Sequence, residues 1–347
     1  MKFSIGYQLP DADDSIYEIV RDYKENISSV YFSMAGHASA RSAIETELAK
    51  DMIEELQAIN GMGVPCTLLY NANCYGAKAI SGEFRDEIIR EVGNLCTQLD
   101  LREITTTSPF VAKVIKENFP QIKTCASVNM WIGSPQAMEY LGENFDGYYM
   151  QREFNRDFEH IARMKKWCDA HGKTLKLLAN SGCMYNCAFH TFHDNLVAHE
   201  AQIAGGENAF SKYSSPCWDY MHAHKSREAA ATFLRASWIR PEDIKHYEPY
   251  FSEMKLATRM HSNPRRVVMA YVRGKFRGNM LDLTEPSFSR RFAAHILDAT
   301  KFPTDWFERT SSCRRMCESC GYCLKAAEDM LVEKIDLDEM YCSKAYH

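Results

Sequence analysis

Eight short apolar runs, most of them separated by stretches of helical period, occupy the first three quarters of this 347-residue chain. The runs lie at 3–7, 29–34, 65–70, 103–106, 121–126, 147–150, 174–179 and 253–258, and each has the length of a buried strand. Between them apolar residues recur every three or four positions. One helix carries Ile16, Ile19, Val20, Tyr23 and Ile27, opened by Asp14 or Ser15 as its cap. Another carries Ile44, Leu48, Met52, Leu56 and Ile59 and ends near Gly61; a third carries Phe84, Ile88, Val92, Leu95 and Leu99. Further helices are expected over 110–118, from Pro135 to Leu141, around Phe158, Ile161, Met164 and Cys168, and over 241–250. Eight strands alternating with helices at this length predict a (β/α)8 TIM-type barrel, with a doubly wound open sheet as the main rival.

Either architecture builds its site at the carboxyl ends of the strands. That singles out the loops 71–76, 107–108, 127–131, 151–155 and 180–195, with the long segment between strands seven and eight as an insertion over the same face. Past Pro264 the pattern reads as strand-like over 267–272, with turns at Gly274 and Gly278 and a cysteine-rich tail. The expected organisation is a barrel domain over 1–262 and a small C-terminal domain over 263–347.

A net charge of -5 gives no global attraction to nucleic acid, and no apolar run is long enough to span a membrane. The N-terminus reads as a strand and not as a signal peptide, so a cytoplasmic protein is expected. Thirteen cysteines are many for that compartment, where disulfides are rare and clustered thiols point to metal or redox chemistry. Cys66, Cys74, Cys96, Cys125 and Cys168 are scattered and read as small core hydrophobes; Cys342 stands alone.

The remaining seven fall in two groups. Strand seven breaks at Asn180-Ser181-Gly182, a turn signal, and runs into Cys183-x3-Cys187, His190, His193, Asp194 and Asn195; Cys217 follows in the insertion. Three thiolates suit an iron–sulfur cluster, and with His190 or His193 they suit zinc equally well. The histidines would otherwise bond backbone carbonyls, and Asp194 and Asn195 would cap a helix. In the tail, Cys313, Cys317, Cys320 and Cys323 crowd into eleven residues, with Gly321 letting the backbone wrap closely. That spacing favours a [4Fe-4S] cluster over a zinc ribbon, with zinc as the alternative at this C-terminal site. Its first three cysteines match the spacing of radical-SAM enzymes, but there the motif follows the first barrel strand. Two full clusters need eight cysteines, and the groups hold seven. The eighth ligand is Cys74 or Cys125, or a non-cysteine group, or one iron stays open and can bind substrate as a Lewis acid.

Arg152 and Glu153 follow a strand end, where a charged pair orients substrate, acts as acid and base, or closes the rim as a salt bridge. Lys255 and Arg259 share a strand and could hold an anion. Arg265, Arg266, Arg273, Lys275 and Arg277 read as a solvated edge or a phosphate contact. No Gly-x-Ser-x-Gly, His-Glu-x-x-His or phosphate loop is present.

The stretch from Leu177 to Cys187, with His193, Asp194 and Asn195 behind it, resembles the cysteine motif of the collagenase-like peptidase family, peptidase family U-32. Ser127-Val128-Asn129 with Gln151-Arg152-Glu153-Phe154-Asn155, and Met254-Lys255-Leu256-Ala257-Thr258-Arg259, resemble its strand-five serine, its Arg-Glu-Leu-Ser stretch and its Lys-Ile-Glu-Gly-Arg stretch. The resemblance spans roughly residues 100 to 260. It implies a barrel-type fold and a [4Fe-4S] cluster on four cysteines, three of which carry onto Cys183, Cys187 and Cys217. Where related members place the fourth, this chain reads Ala236-Ser237-Trp238, and Ala257 replaces the family glutamate. Family members include peptidases and proteins of oxygen-independent hydroxylation acting on the ubiquinone ring or on RNA bases. The implied reading is therefore an iron–sulfur enzyme modifying a peptide, an RNA base or a small aromatic ring. Arg152, Glu153, His193, Asn195 and Lys255 are its candidate catalytic residues, and it would need an electron donor and could pair with a second family member. The alternatives are a peptidase with structural clusters, or a non-catalytic iron–sulfur subunit of a complex.

Overall fold

The computed structural model describes residues 1–8, 14–34, 49–200, 203 and 215–334. Eight parallel strands follow one another round a ring: β1 (Lys2–Gly6), β2 (Ile27–Phe32), β3 (Cys66–Tyr70), β4 (Leu101–Thr106), β5 (Lys123–Ala126), β6 (Gly147–Tyr149), β7 (Thr174–Lys176) and β8 (Glu253–Lys255). Each pairs with its sequence neighbour, and β8 pairs with β1. The seam between β7 and β8 closes through a parallel bridge from Leu178 to Lys255. There the Lys255 N–H donates to the Leu177 carbonyl at 3.0 Å and the Ala179 N–H to the Lys255 carbonyl at 2.9 Å. Sequential order with closure is a TIM-type barrel; an open doubly wound sheet would reverse its strand order.

Several strands hand over to a helix through a polar cap. Ser15 accepts from Glu18 to open α1 (Ile16–Tyr23) in a capping box. Ser81 accepts from Phe84 for the helix Gly82–Gln98, Ser108 from Val111 for Pro109–Asn118, and Asp157 from His160 for Phe158–Ala170. The helix Ala49–Gly61 buries Met52, Leu56 and Ile59; Ile44 and Leu48, expected on its first turns, lie outside the described residues.

The segment expected as a strand over 267–272 is instead a helix, Pro264–Arg273. Asn263 caps it, Pro264 occupies its first turn, and Gly274 ends it with φ 58°. Its three valines gave the run a strand-like look, but Val267, Val268 and Tyr271 are buried at helical spacing. Arg265 bonds Asp14 at 2.6 Å and Asp22 at 2.6 Å, which fixes this helix to α1. Beyond it, a two-stranded antiparallel sheet (β9, His295–Leu297; β10, Leu331–Glu333) and the helices Trp306–Ser311 and Tyr322–Met330 lie against the barrel. Trp306 stacks on Trp238 at 6.3 Å, and the buried Arg156 guanidinium packs on both rings while its N–H groups donate to the Trp238 and Leu234 carbonyls. The tail's apolar residues thus join the barrel's continuous core. Among the described residues no helix is long and apolar enough to cross a membrane.

Asn180 pins the seam. It is fully buried, and its amide donates to the carbonyls of Ala257 and Leu283, each at 2.9 Å, while its oxygen accepts the Ala257 N–H at 2.6 Å. One side chain therefore ties the ends of β7 and β8 to the segment that follows the last barrel helix. Asn180→Ala strands three buried backbone groups and should cost roughly 3 kcal/mol in urea denaturation. A variant as stable as the wild type would contradict this role.

Candidate functional site

Asn180, Ser181 and Gly182 carry strand seven out to the barrel mouth, where Cys183 begins the loop. A methyl group on Gly182 would lie 2.2 Å from the Pro286 carbonyl oxygen and 2.9 Å from Thr284 Oγ1, so only glycine allows the close approach of the 284–286 backbone. That backbone pairs with the strand end: Gly182 N–H donates to the Glu285 carbonyl and Glu285 N–H to the Asn180 carbonyl, each at 3.0 Å. Asn186, in the left-handed region with φ 48°, then curls the loop at Cys187. Cys217 arrives separately, in the first turn of the helix Pro216–Ala223.

The three thiols line one cavity of about 530 Å³ with Arg152, His190, His193 and Asp194. They lie close enough to influence one another. Burial pushes the Cys217 thiol up to about 11, and Cys183 and Cys187 add to the rise. Burial also raises Cys187, while the Phe189 N–H and the Arg152 charge pull it back. Among the described residues no three His, Cys, Asp or Glu side chains are arranged to hold a single metal ion.

Other strand ends brace the wall. His190 Nε2 lies 3.1 Å from Asp194 Oδ2, one helical turn on. From the loop after β3, Asn73 donates to the same carboxylate at 3.4 Å. From the loop after β5, Trp131 sets its ring edge-on to His190 at 4.1 Å, and the Arg152 guanidinium lies 5.6 Å over the indole. Arg152 also donates to Ser181 Oγ at 3.4 Å and stands 3.8 Å from the Glu153 carboxylate.

The candidate catalytic residues divide. Arg152 and His193 line the cavity with the three cysteines. Glu153 is buried behind Arg152, and one of its oxygens has no hydrogen-bond partner among the described residues. Asn195 turns away: its amide donates to the Thr191 carbonyl one turn back at 2.9 Å. Lys255 lies inside the barrel, its ammonium 3.8 Å over the Tyr31 ring and 5.3 Å from that of Tyr149.

Neither candidate for an eighth ligand reaches the cavity. Cys125 is buried on β5, inside the barrel. Cys74 is half-buried in the loop after β3, where the Gly76 N–H and His199 lower its pKa, so it is not the core hydrophobe expected. Cys66 and Cys168 are such residues, both buried and pushed up to about 12. Ser237, where the family places a fourth cysteine, is buried and donates to the Glu153 carbonyl at 3.2 Å.

Of the opposite wall, only Arg266 stood out in sequence, as part of a solvated edge or a phosphate contact. His261 comes from the loop after β8, Arg266 from the last barrel helix, and Asp282 and Glu285 from the segment after it. Arg266 pairs with Asp282 at 2.9 Å, and Glu285 accepts the Met260 N–H at 3.2 Å. Glu285 thus supplies a carboxylate close to the strand end where Ala257 lacks one. The local signal for the rest was Gly182, whose missing side chain makes room for this wall.

The tail cysteines lie away from the cavity. Cys313 and Cys320 are exposed, Cys317 and Cys323 half-buried, and none is in a disulfide. Burial raises the Cys323 thiol; Arg156 and Arg235 oppose the rise, and Cys313 and Cys317 add to it.

Burial, then the neighbouring Arg259, lowers Lys255 from 10.5 to about 7, with the Tyr31 and Tyr149 ring faces offsetting part of that penalty. Between those two values the unfolded chain holds a proton that the folded chain has released, so this group makes stability rise with pH across that window. Lys255→Met should therefore be more stable than wild type by roughly 4 kcal/mol at pH 7, with the gap shrinking towards pH 10. A pH-independent difference between the two denaturation curves would contradict the buried, depressed lysine.

No family model matches the chain. It is 21% identical over 289 residues to an uncharacterized protease of Methanocaldococcus jannaschii, an alignment covering 82% of each chain. In fold it is similar to the U32 peptidase Mk0906, with a TM-score of 0.53 and 12% identity over 74% of this chain and 92% of that one. The resemblance to peptidase family U-32 first carried by the cysteine motif thus extends over four fifths of the chain in sequence and through the barrel in fold.

Proposed function

We propose that the mouth cavity is the active centre of a U-32-type enzyme in which Cys183, Cys187 and Cys217 hold an iron–sulfur cluster. The observation that carries this reading is that thiols from two separate segments meet in one cavity at the carboxyl end of a barrel, beside an arginine and a histidine–aspartate pair. The donor set fits the group. Thiolates are the ligands such clusters take, and each cysteine of a cubane binds its own iron, which keeps the sulfurs further apart than around one ion. Burial, with a smaller contribution from the neighbouring thiols, raises Cys187 and Cys217, a penalty that bound cationic iron would relieve. Neither Cys74 nor Cys125 lines the cavity, so the fourth position falls to a non-cysteine group or to substrate.

A bound cluster supplies one-electron or Lewis-acid chemistry at the mouth. The chain's own groups do the rest. Arg152, held by Ser181 and Trp131, presents a fixed cation to a carbonyl, carboxylate or enolate oxygen of the substrate. Asp194 fixes the orientation of His190, which is placed to hold or deliver a proton at its ring nitrogen. On the far wall Arg266 and Asp282 form a second polar anchor. A cavity of about 530 Å³ accommodates one planar ring or one amino-acid side chain. We assign the chain to redox or hydroxylation-type modification of a peptide, an RNA base or a small aromatic ring, supported by an electron donor. A second reading, peptide hydrolysis with a structural cluster, is favoured by the description of its curated relative as a protease and of its structural neighbour as a peptidase.

Anaerobic purification separates these readings. Wild type should carry iron and acid-labile sulfide, and Cys183→Ala and Cys217→Ala should each lose about four irons per chain. Arg152→Ala should keep the iron and lose activity by about 100-fold or more. Peptide cleavage that survives complete removal of iron would overturn the redox reading in favour of the hydrolytic one.

A further inference from the structure

Four thiols remain that the mouth does not use. Cys313, Cys317 and Cys320 lie in the loop between the helices Trp306–Ser311 and Tyr322–Met330, and Cys323 stands in the first turn of the second. The loop turns back on itself through Arg315, which adopts φ 59° without being glycine. Such a residue is strained and persists only where its surroundings hold it. Here the Arg315 N–H is aimed at Cys313 Sγ at 3.4 Å. The loop after Cys183 shares this device: Asn186 is left-handed, and the Phe189 N–H bonds Cys187 two residues back. Backbone N–H groups directed at sulfur are a recurrent support of metal-bound thiolates.

The loop rests on a firm base. Ala326, Ala327 and Met330 are buried, Arg227 pairs with Glu328, and the Tyr322 hydroxyl donates to Asp305 at 2.8 Å. The positive end of the nine-residue helix Tyr322–Met330 favours a thiolate at Cys323. None of the four thiols is in a disulfide, and Cys313 and Cys320 are exposed, so packing does not account for those two.

The Arg315 side chain leaves this loop and reaches the mouth. Its guanidinium donates to the Arg235 carbonyl at 2.5 Å and to Ser237 Oγ at 3.1 Å, and lies 4.1 Å from the centre of the Tyr185 ring. Tyr185 is the middle residue between Cys183 and Cys187. One side chain from inside the tail cysteine group is therefore stacked on one from inside the mouth group.

We propose that Cys313, Cys317, Cys320 and Cys323 bind a second iron–sulfur cluster, and that Arg315, set by that loop, holds the Cys183–Cys187 loop in place through Tyr185. The first half stands on the tail alone. The second rests on the mouth being a metal centre, as proposed above. Arg315 is a positioning residue in this scheme, with no part in the chemistry.

The tail is tested in the variant Cys183→Ser/Cys187→Ser, purified and reconstituted anaerobically with iron and sulfide. It should retain about four irons and four sulfides per chain and show a paramagnetic signal on dithionite reduction. Adding Cys317→Ser/Cys320→Ser should remove both. Cys320 is exposed and Cys317 half-buried on the loop, and circular dichroism should confirm an unchanged fold. Zinc in place of iron, or no metal in the first variant, overturns the tail cluster. The coupling is tested with Arg315→Ala, which should keep the tail iron but release the mouth iron to a chelator about tenfold faster than wild type. An unchanged release rate overturns the coupling. So does a wild type that carries iron only at the tail, a result that also removes the proposed function and leaves the tail cluster standing.

Discussion

The closure of the ring at β7 and β8 is the contact on which the rest of the molecule depends. Those strands are short, and the seam between them has few backbone bonds. The Asn180 amide, itself past the end of β7, supplies the deficit by bonding Ala257 past the end of β8 and the backbone of Leu283 at once. An amide suits the place because it donates twice and accepts through its oxygen, matching buried backbone groups that would otherwise lack partners. The same residue begins the turn that launches Cys183. Barrel closure and the position of the first metal-capable side chain thus follow from one buried side chain.

Gly182 completes this arrangement from the other direction. Its lack of a side chain admits the backbone of Thr284 and Pro286, and with it the wall that carries Asp282 and Glu285. The cavity is therefore bounded by segments a hundred residues apart in the chain. Its charges are paired across short distances: Arg152 near Glu153, Arg266 with Asp282, His190 with Asp194. Paired groups in a partly buried site keep fixed directions at little reorganisation cost, which is what a site acting on a polar substrate requires.

The barrel was legible because its information is local. Alternating apolar runs and stretches of helical period report strand and helix without knowledge of what they touch, and Ser15 caps the first helix as expected. The cysteine groups were legible for the same reason, since spacing within ten or so residues is itself the signal. Misreading arose where two local signals competed. The valines of 267–272 favour a strand by shape, while Asn263, Pro264 and Gly274 frame a helix, and the frame prevailed because one face packs on the barrel. Most of the far wall of the cavity was invisible, because nothing near Asp282 or Glu285 in sequence announces that they meet Gly182. Lys255 was legible only as a charged residue on a strand; the Tyr31 and Tyr149 rings that face its ammonium inside the barrel lie far away in sequence.

Three thiols from two segments converge in one cavity with none of them in a disulfide, an arrangement suited to a cationic centre that joins them. The most direct measurement is an anaerobic crystal structure recorded on both sides of the iron absorption edge. The account predicts an anomalous peak inside the mouth cavity, within bonding distance of Cys183, Cys187 and Cys217. Density showing the three sulfurs free, with no scatterer between them in protein that never met oxygen, would contradict it.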